Sequence, residues 1–278
     1  MQKFSVCICV YHKDEPLYFQ EALQSIVQQS VPPTEVVIVV DGKIPQNLQK
    51  VLDDFIPYAQ KYNIVSNIIY LEKNVGHGIA RRLSIEKAKY QLIALMDADD
   101  ISRSYRFQKQ LEAFKNNPML SVVGGQITEI QHDTKKEIGK RVVPQTDAEI
   151  KHYIKSRCPF NQMTVMFKKD AVLEAGNYQD FFHNEDYYLW NRMYLKGFSF
   201  YNLEDVLVDV RVNDEFYARR GGWRYFMSEY KIQHIMYKNG IISLPKYLFN
   251  VTIRFVLQVV LSDGMRGYIF KTLVRKRN

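Results

Sequence analysis

The chain has 278 residues, of which 46% are hydrophobic and 24% charged, and these are ordinary values for a globular protein. This composition excludes a disordered or fibrous chain. The three cysteines stand at no metal-ligand spacing, so we interpret them as reduced thiols of the core. The N-terminal apolar run is too short for a secretory signal, and we therefore expect the protein in the cytoplasm.

The net charge of +8 is unevenly distributed along the chain. Residues 211–278 contain 13 Lys and Arg against 4 Asp and Glu, whereas residues 1–210 contain 25 against 26. All of the excess positive charge therefore belongs to the last quarter. Such an asymmetry predicts contact with an anionic surface, either phospholipid or nucleic acid.

Strand and helix patterns alternate along the first 123 residues. Nearly continuous apolar runs predict buried strands at 4–11, 35–42 and 90–97, with a further strand at 67–72. Helical spacing of apolar residues predicts helices after Pro16 and at 48–55, 79–83 and 107–114. This alternation predicts a Rossmann-like α/β fold, with a mostly parallel central sheet and helices on both faces.

The second half of the chain has a more mixed pattern. We predict a strand at 120–130, a hairpin or loop at 131–145, helices at 146–155 and 168–175, a strand at 162–167, a helix from Glu185 and a strand region at 198–212. Aromatic-rich helical patterns follow residue 219. The apolar stretch within 246–261 is too short to span a bilayer, although it is able to lie on one.

The stretch LIALMDADD places Asp97, Asp99 and Asp100 directly after a buried strand. Ligands of open α/β sheets bind beyond the carboxyl ends of the strands, where Asp41 also lies, after the second strand. Aspartates at strand ends often cap the following helix, but three within four positions exceed that need. The pattern therefore favours an Asp-x-Asp site for Mg²⁺ or Mn²⁺, whose shell a diphosphate completes.

Three further motifs have both a functional and a purely structural interpretation. In NVGHGIARR, two glycines permit close backbone approach and the arginines are suited to phosphate, or the segment is a capped helix with solvated arginines. In HNED, Glu185 and Asp186 either complement the helix dipole or supply a general base. In RRGGWR, Arg219 and Arg220 contact a diphosphate or lipid headgroups, or form a solvated basic face.

Taken in order, six motifs resemble the family 2 glycosyltransferases of the GT-A fold, especially bacterial enzymes of lipopolysaccharide or capsule synthesis. They are SVCICVYHKDE, VVIVVDG, NVGHGIARR, ALMDADD, CPFNQMTVMFKK and NEDYYLWNRM, and they extend over residues 4–212. The resemblance implies a GT-A domain at 1–212, with a nucleotide-binding half at about 1–123 and an acceptor-side half at about 124–212. A basic, aromatic, helical region at 213–278 follows, with peripheral membrane contact as one role.

The resemblance also implies roles for individual residues. It assigns the donor nucleotide to Tyr11, Asp41, Asn74, Gly78, Asp97 and Asp100, and the motifs above add Arg81 and Arg220 as candidates for its phosphates. Asp99 is the first choice for direct metal contact, with Asp97 and Asp100 as further candidates. Asp186 is the implied catalytic base, and Glu185 is the second choice. His12 stands where many relatives carry Asn or another small polar residue.

The implied reaction is a metal-dependent, inverting transfer from a UDP-sugar to a lipid-linked or core saccharide at the inner face of the cytoplasmic membrane. No Gln-x-x-Arg-Trp motif occurs late in the chain, so a single addition is favoured over polymerisation. A sugar-nucleotide nucleotidyltransferase is disfavoured because HKDEP after the first strand is acidic and lacks glycine. A non-catalytic lipid- or nucleic-acid-binding protein with a degenerate domain is the other alternative. We expect no nucleic-acid partner, and the sequence leaves the oligomeric state open.

Overall fold

The computed structural model describes residues 2–212 and 221–261. Its strands are β1 (Phe4–Val10), β2 (Glu35–Val40), β3 (Val65–Tyr70), β4 (Leu92–Met96), β5 (Ile101–Ser102), β6 (Leu120–Gln131), β7 (Glu137–Arg141), β8 (Met166–Lys168) and β9 (Ser199–Val212). Its helices are α1 (Pro16–Val27), α2 (Gln46–Gln60), α3 (His77–Lys87), α4 (Arg106–Asn116), α5 (Asp147–Tyr153), α6 (Lys169–Glu174), α7 (Glu185–Leu195), α8 (Trp223–Lys238) and α9 (Leu244–Phe255).

These strands form one sheet in the order β3-β2-β1-β4-β8-β6-β9-β5, with β7 paired to β6. The pairs among β1, β2, β3 and β4 are parallel, as the alternation of strand and helix predicts. Beyond β4 the sheet is mixed, because β8 runs antiparallel to both β4 and β6. The predicted α/β sheet is confirmed, and it continues through the expected boundary near residue 123 within β6.

Two hydrophobic cores lie on opposite faces of the sheet. Alternate residues of β1 divide between them, because successive side chains of a strand point to opposite sides. Phe4, Val6 and Ile8 pack with α1, α2 and α4 in one core, whereas Cys7 belongs to the other core with α3 and α7. All three cysteines are free thiols, as predicted.

The predicted strand at 162–167 is wrong in its first half. A 3₁₀ turn occupies Gln162–Thr164, and only Met166–Lys168 pairs as a strand. The hydroxyl of Thr164 donates to the carbonyl of Asn161 at 2.7 Å, and this local bond competes with strand pairing. The predicted hairpin within 131–145 is present as β7, which pairs with β6.

The C-terminal helices pack against α7 and the segment that follows α5. Ile232 and Met236 of α8 join the same core as Trp190 of α7. A short π-helical turn, Val256–Val260, extends α9. Over residues 2–212 and 221–261, every helix falls short of the length and apolar character that crossing a membrane requires.

Candidate functional site

The polar residues after β1, β2 and β4 meet at one edge of the sheet. β1 lies between the other two strands and is parallel to both, so the carboxyl ends of all three point the same way. Tyr11 follows β1, Asp41 follows β2 and Asp97 follows β4. This edge is where open α/β sheets bind their ligands.

Asp41 holds the loop that leads into α3. Its carboxylate accepts the backbone N–H of Val75 at 2.7 Å and that of Gly76 at 3.1 Å, and the Asn74 side chain donates to its carbonyl at 3.2 Å. Gly42 adopts a φ of +85°, and a Cβ there would lie 2.7 Å from the backbone nitrogen of Asn74. The two predicted nucleoside-side residues, Asp41 and Asn74, are therefore in direct contact.

The loop after β1 adds an acidic residue that the sequence patterns did not single out. The backbone N–H of Tyr11 donates to the Asp14 carboxylate at 2.8 Å, and the Tyr11 ring meets the His12 ring edge-on. Burial raises the pKa of Asp14 to about 7, and the charges of Asp99 and Asp97 add to this effect. Asp14 therefore extends the acidic cluster. Its only sequence signal is its place in the loop that follows a buried strand.

The three aspartates of the DADD motif differ in exposure. Asp100 is 1% exposed, and its carboxylate accepts the backbone N–H of Arg211 at 3.1 Å, which joins this motif to β9. Burial and the neighbouring carboxylates of Asp99 and Asp97 raise the pKa of Asp100 well above its usual range. Asp97 is partly exposed and Asp99 is exposed. Asp100 faces the protein interior, so Asp99 and Asp97 are the accessible carboxylates of the motif.

The accessible carboxylates suit a divalent cation that retains other ligands. Among the described residues, no three His, Cys, Asp or Glu side chains converge tightly enough to hold a metal without help. Mg²⁺ is commonly held by one or two carboxylates together with water and phosphate oxygens, and Asp99 with Asp97 provides that set. Although Asp99 is accessible to water, the surrounding protein and the charge of Asp97 raise its pKa to about 6. A cation between them would relieve this repulsion.

Arg81 connects the DADD motif with the acidic pair of α7. Its guanidinium lies 3.0 Å from the Asp97 carboxylate and 3.5 Å from that of Glu185, and its side chain is only 5% exposed. Burial alone would lower the pKa of Arg81, but Asp97 and Glu185 hold it above its ordinary value. We expected Arg81 to meet phosphate. As placed, its guanidinium is committed to two carboxylates, because an unpaired buried charge is costly.

His77 lies in the same group and was assigned no role from the sequence. Its Nε2 is 2.7 Å from Arg81 Nη2 and 4.0 Å from the Asp97 carboxylate, and its Nδ1 is 3.9 Å from the Glu185 carboxylate. The charge of Arg81 and the surrounding protein lower the pKa of His77 to about 4, so the ring is neutral at pH 7. Nε2 then accepts from Arg81 and Nδ1 carries the proton. The feature of the sequence that could have pointed to His77 is its position between two glycines at the start of α3.

Glu185 and Asp186 begin α7, where the helix dipole favours negative charge. Burial and the charge of Asp186 raise the pKa of Glu185 to about 7, and burial also raises the pKa of Asp186. The two side chains diverge. Glu185 faces Arg81, whereas Asp186 accepts the backbone N–H of Tyr187 at 2.6 Å and the thiol of Cys158 at 3.6 Å.

The starts of α3 and α7 are in close contact at Gly78. A Cβ at this position would lie 3.2 Å from the Gln179 carbonyl oxygen, which is tighter than most real contacts, and in van der Waals contact with the Glu185 Cβ at 3.4 Å. Gly78 therefore lets the two helix starts approach. The predicted residues Arg219 and Arg220 lie outside the described residues, so their positions are not assigned.

Two surface cavities of the described chain lie away from these carboxylates. One, of about 540 Å³, is lined by Gln2, Gln91 and Lys168 at the amino ends of β1 and β4. The other, of about 400 Å³, lies between α1 and α2. Because parallel sheets bind ligands at the carboxyl ends of their strands, the carboxylate group around Arg81 remains the candidate site.

The chain is similar to known proteins over most of its length. A family model described as glycosyl transferase family 2 matches residues 5–181. The chain is 34% identical over 274 residues to an Escherichia coli UDP-Gal:alpha-D-GlcNAc-diphosphoundecaprenol beta-1,3-galactosyltransferase, covering 99% of this chain and 97% of that protein. It is 33% identical over 247 residues to the amylovoran biosynthesis glycosyltransferase AmsE of Erwinia amylovora, covering 88% and 90% of the two chains.

A solved structure shares the fold. The S. aureus TarS fragment 1–349 in complex with UDP-GlcNAc superimposes with a TM-score of 0.66 at 20% identity, covering 97% of this chain and 79% of that one. This likeness extends over the sheet and the C-terminal helices together.

Proposed function

Because the chain belongs to glycosyl transferase family 2, we propose that it transfers one sugar from a UDP-sugar to a lipid-linked saccharide, with inversion at the anomeric carbon. The observation that carries the proposal is the position of Arg81, which places the Asp-x-Asp strand end and the acidic start of α7 on one guanidinium. Donor-side and acceptor-side carboxylates then belong to one site.

Donor binding is assigned to the edge of the sheet. Tyr11, Asp41, Asn74 and Gly78 surround the nucleoside in this proposal, because they form the loops after β1 and β2 and the start of α3. Asp97 lies next to the diphosphate, and Asp99 would hold Mn²⁺ or Mg²⁺. When bound, the cation would neutralise charge on the departing diphosphate. Arg220 keeps its proposed diphosphate role, although it lies outside the described residues.

Asp186 is the proposed base for the acceptor hydroxyl. It accepts the hydroxyl proton while that oxygen attacks the anomeric carbon, and the bond from this carbon to the UDP oxygen breaks on the opposite face. Glu185 is engaged by Arg81, whereas within residues 2–212 and 221–261 the hydrogen-bond partners of Asp186 are the thiol of Cys158 and the backbone N–H of Tyr187. This difference favours Asp186 for proton transfer.

We infer the acceptor and the pathway from the names of the relatives. The E. coli relative is named for a saccharide on diphosphoundecaprenol, and the Erwinia relative for amylovoran biosynthesis. We propose a related lipid-diphosphate-linked saccharide, in lipopolysaccharide, O-antigen or capsule synthesis. The donor is a UDP-hexose or UDP-N-acetylhexosamine, and the enzyme works peripherally at the inner face of the cytoplasmic membrane.

Two measurements test this proposal. UDP should raise the melting temperature of the protein, and the increase should be larger with Mn²⁺ or Mg²⁺ than with EDTA. A panel of nucleotide sugars, beginning with UDP-galactose, should then show hydrolysis of one donor in the absence of acceptor. No shift with any nucleotide would favour a non-catalytic binding protein, and a shift that EDTA leaves unchanged would remove the metal from the proposal.

A further inference from the structure

The polarity of α9 is reversed with respect to an ordinary surface helix. Its polar side chains face the protein: Asn250, 3% exposed, donates to Gln233 at 2.7 Å and to the Lys155 carbonyl at 2.9 Å. Arg254 donates to the Glu229 carboxylate and to the Ser156 carbonyl, each at 2.6 Å. These buried bonds fix the rotation of the helix about its own axis, because leaving the groups unpaired would be costly.

The opposite face of α9 and of the π-helical turn after it is apolar, and no part of residues 2–212 and 221–261 covers it. We name it the apolar ridge, and its members are 41–61% exposed: Leu244, Leu248, Phe249, Ile253, Val256 and Val260. Their spacing follows the helical repeat, so the side chains form one continuous strip. A contiguous apolar strip of this kind marks an interaction surface, since single exposed apolar residues are ordinary but aligned ones are not.

The charges of the sequence from the ridge onward, together with an exposed Trp, suit an anionic lipid surface. From residue 244 to residue 261 the sequence contains no Asp or Glu, and besides Arg254, which pairs with Glu229, it contains Lys246; residues 262–278 contain five Lys and Arg against one Asp. Trp223 is 61% exposed and connects to Phe255 through the ring of Phe226, with centroid distances of 5.5 Å and 5.4 Å. Exposed Trp beside basic residues is typical of the bilayer interface.

The ridge is attached to the acceptor side of the proposed site. Arg254 and Asn250 bind the carbonyls of Ser156 and Lys155, and two residues later the thiol of Cys158 donates to Asp186. Residues 155–158 therefore connect the buried face of α9, behind the ridge, to the proposed base, and the ridge itself would lie on a membrane surface. A lipid-linked acceptor is anchored in such a surface.

We propose that the apolar ridge inserts into the interface of an anionic phospholipid bilayer and so presents Asp186 to acceptors held in that bilayer. The docking surface stands on the geometry of α9, and only its link to the acceptor rests on the proposed function. Insertion of the ridge buries apolar area, and Lys246 and the Lys and Arg that follow the ridge in sequence are attracted to anionic headgroups, so both terms favour binding.

Vesicle binding of the full chain tests the ridge. The probe is vesicles of phosphatidylcholine with 30% phosphatidylglycerol, compared with vesicles of phosphatidylcholine alone. The chain has two tryptophans, and because Trp190 is fully buried, a blue shift of fluorescence on binding reports Trp223. The double variant Leu248→Gln/Phe249→Gln should bind anionic vesicles at least about tenfold more weakly than the parent chain. Met119→Gln, at an exposed apolar residue outside the ridge, should bind like the parent.

Circular dichroism and melting temperature check that the variants fold, and because the substituted side chains are exposed we expect both to be unchanged. Equal vesicle binding by the double variant and the parent would overturn the proposal. A parent that ignores vesicles but forms dimers, which the double variant loses, would also overturn it and make the ridge a self-association surface. The melting-temperature shift with UDP is measured in parallel. If that shift persists while vesicle binding fails, the docking inference is wrong and the proposed transferase function stands.

Discussion

Arg81 and Glu185 form an ion pair, with Nη1 3.5 Å from Oε1, at the junction where α3 meets α7. The same guanidinium lies 3.0 Å from Asp97, so one buried cation balances carboxylates from two distant parts of the chain. This arrangement makes the stability of the fold and the integrity of the site depend on one residue.

Replacing Arg81 with methionine should destabilise the protein by about 3–5 kcal/mol, since Asp97 and Glu185 would lose the charge that compensates them. Urea unfolding measures the free energy of unfolding. The neighbouring Arg82→Met is the matched control, because Arg82 is exposed and pairs with Glu86 on the surface of α3. It should change stability by less than about 1 kcal/mol. Equal effects of the two variants would contradict the role of the buried ion pair.

The variant Asp186→Asn should abolish transfer and leave the dissociation constant for UDP within about twofold. A general base contributes about 10²–10⁴ to the rate, so kcat/KM should fall at least about 100-fold. Radiolabel transfer from the donor and calorimetric titration with UDP measure the two quantities. Asp180→Asn removes the same charge from an exposed position six residues earlier and should be active. If Glu185→Gln is inactive and Asp186→Asn is active, Glu185 is the base.

Activity should rise with pH through a value well above that of an ordinary carboxyl group. Burial and mutual repulsion raise the pKa of Glu185 to about 7, burial raises that of Asp186, and a base acts only when ionised. The acid limb of kcat/KM, measured from pH 5 to 8.5, therefore belongs to the pair. In Glu185→Gln the limb should move to lower pH, because one of the two like charges is gone. If the acid limb of the variant stays at the same pH, the ionisation of Glu185 does not affect that of Asp186, and the prediction is wrong.

The raised pKa of Glu185 should also make the stability depend on pH, but in the opposite direction to activity: stability falls as pH rises. Glu185 binds its proton more tightly in the folded chain than at its ordinary pKa of 4.5, so its contribution is fully present below pH 4.5. That contribution is lost as pH rises through about 7. Glu185→Gln should remove this slope from the free energy of unfolding measured between pH 5 and 7.5. A slope that is the same in the variant would show that other groups cause it.

Gly42→Ala should weaken both the fold and UDP binding. Its φ of +85° and the 2.7 Å approach to the backbone of Asn74 leave no room for a Cβ, and we expect a loss of about 2–3 kcal/mol. Gly240→Ala is the control, since it has a φ of +71° with nothing within 4 Å of its Cβ, and should cost about 1 kcal/mol. Only Gly42→Ala should raise the dissociation constant for UDP, because it displaces Asn74.

The apolar runs of β1, β2 and β4 predicted the parallel half of the sheet, because a strand buried on both faces must be apolar at nearly every position. The second half was harder to predict. β8 contains only three residues, too few to show an alternating pattern. Gln162–Thr164, which precedes it, forms a 3₁₀ turn that the apolar pattern does not distinguish from a strand. Short elements of this kind owe their form to packing and not to propensity.

The sequence alone determined which residues follow each buried strand, because the end of a strand is visible in the local pattern of apolar residues. The acidic edge of the sheet and the motifs of the family were predicted from those residues. Only the tertiary structure decided that Asp100 turns inward to Arg211 while Asp99 is exposed, and that Arg81 is shared by Asp97 and Glu185. It also decided that α9 turns its polar face inward. These outcomes depend on which long-range neighbour each charged group finds, since a buried charge takes the partner that the completed fold brings within reach.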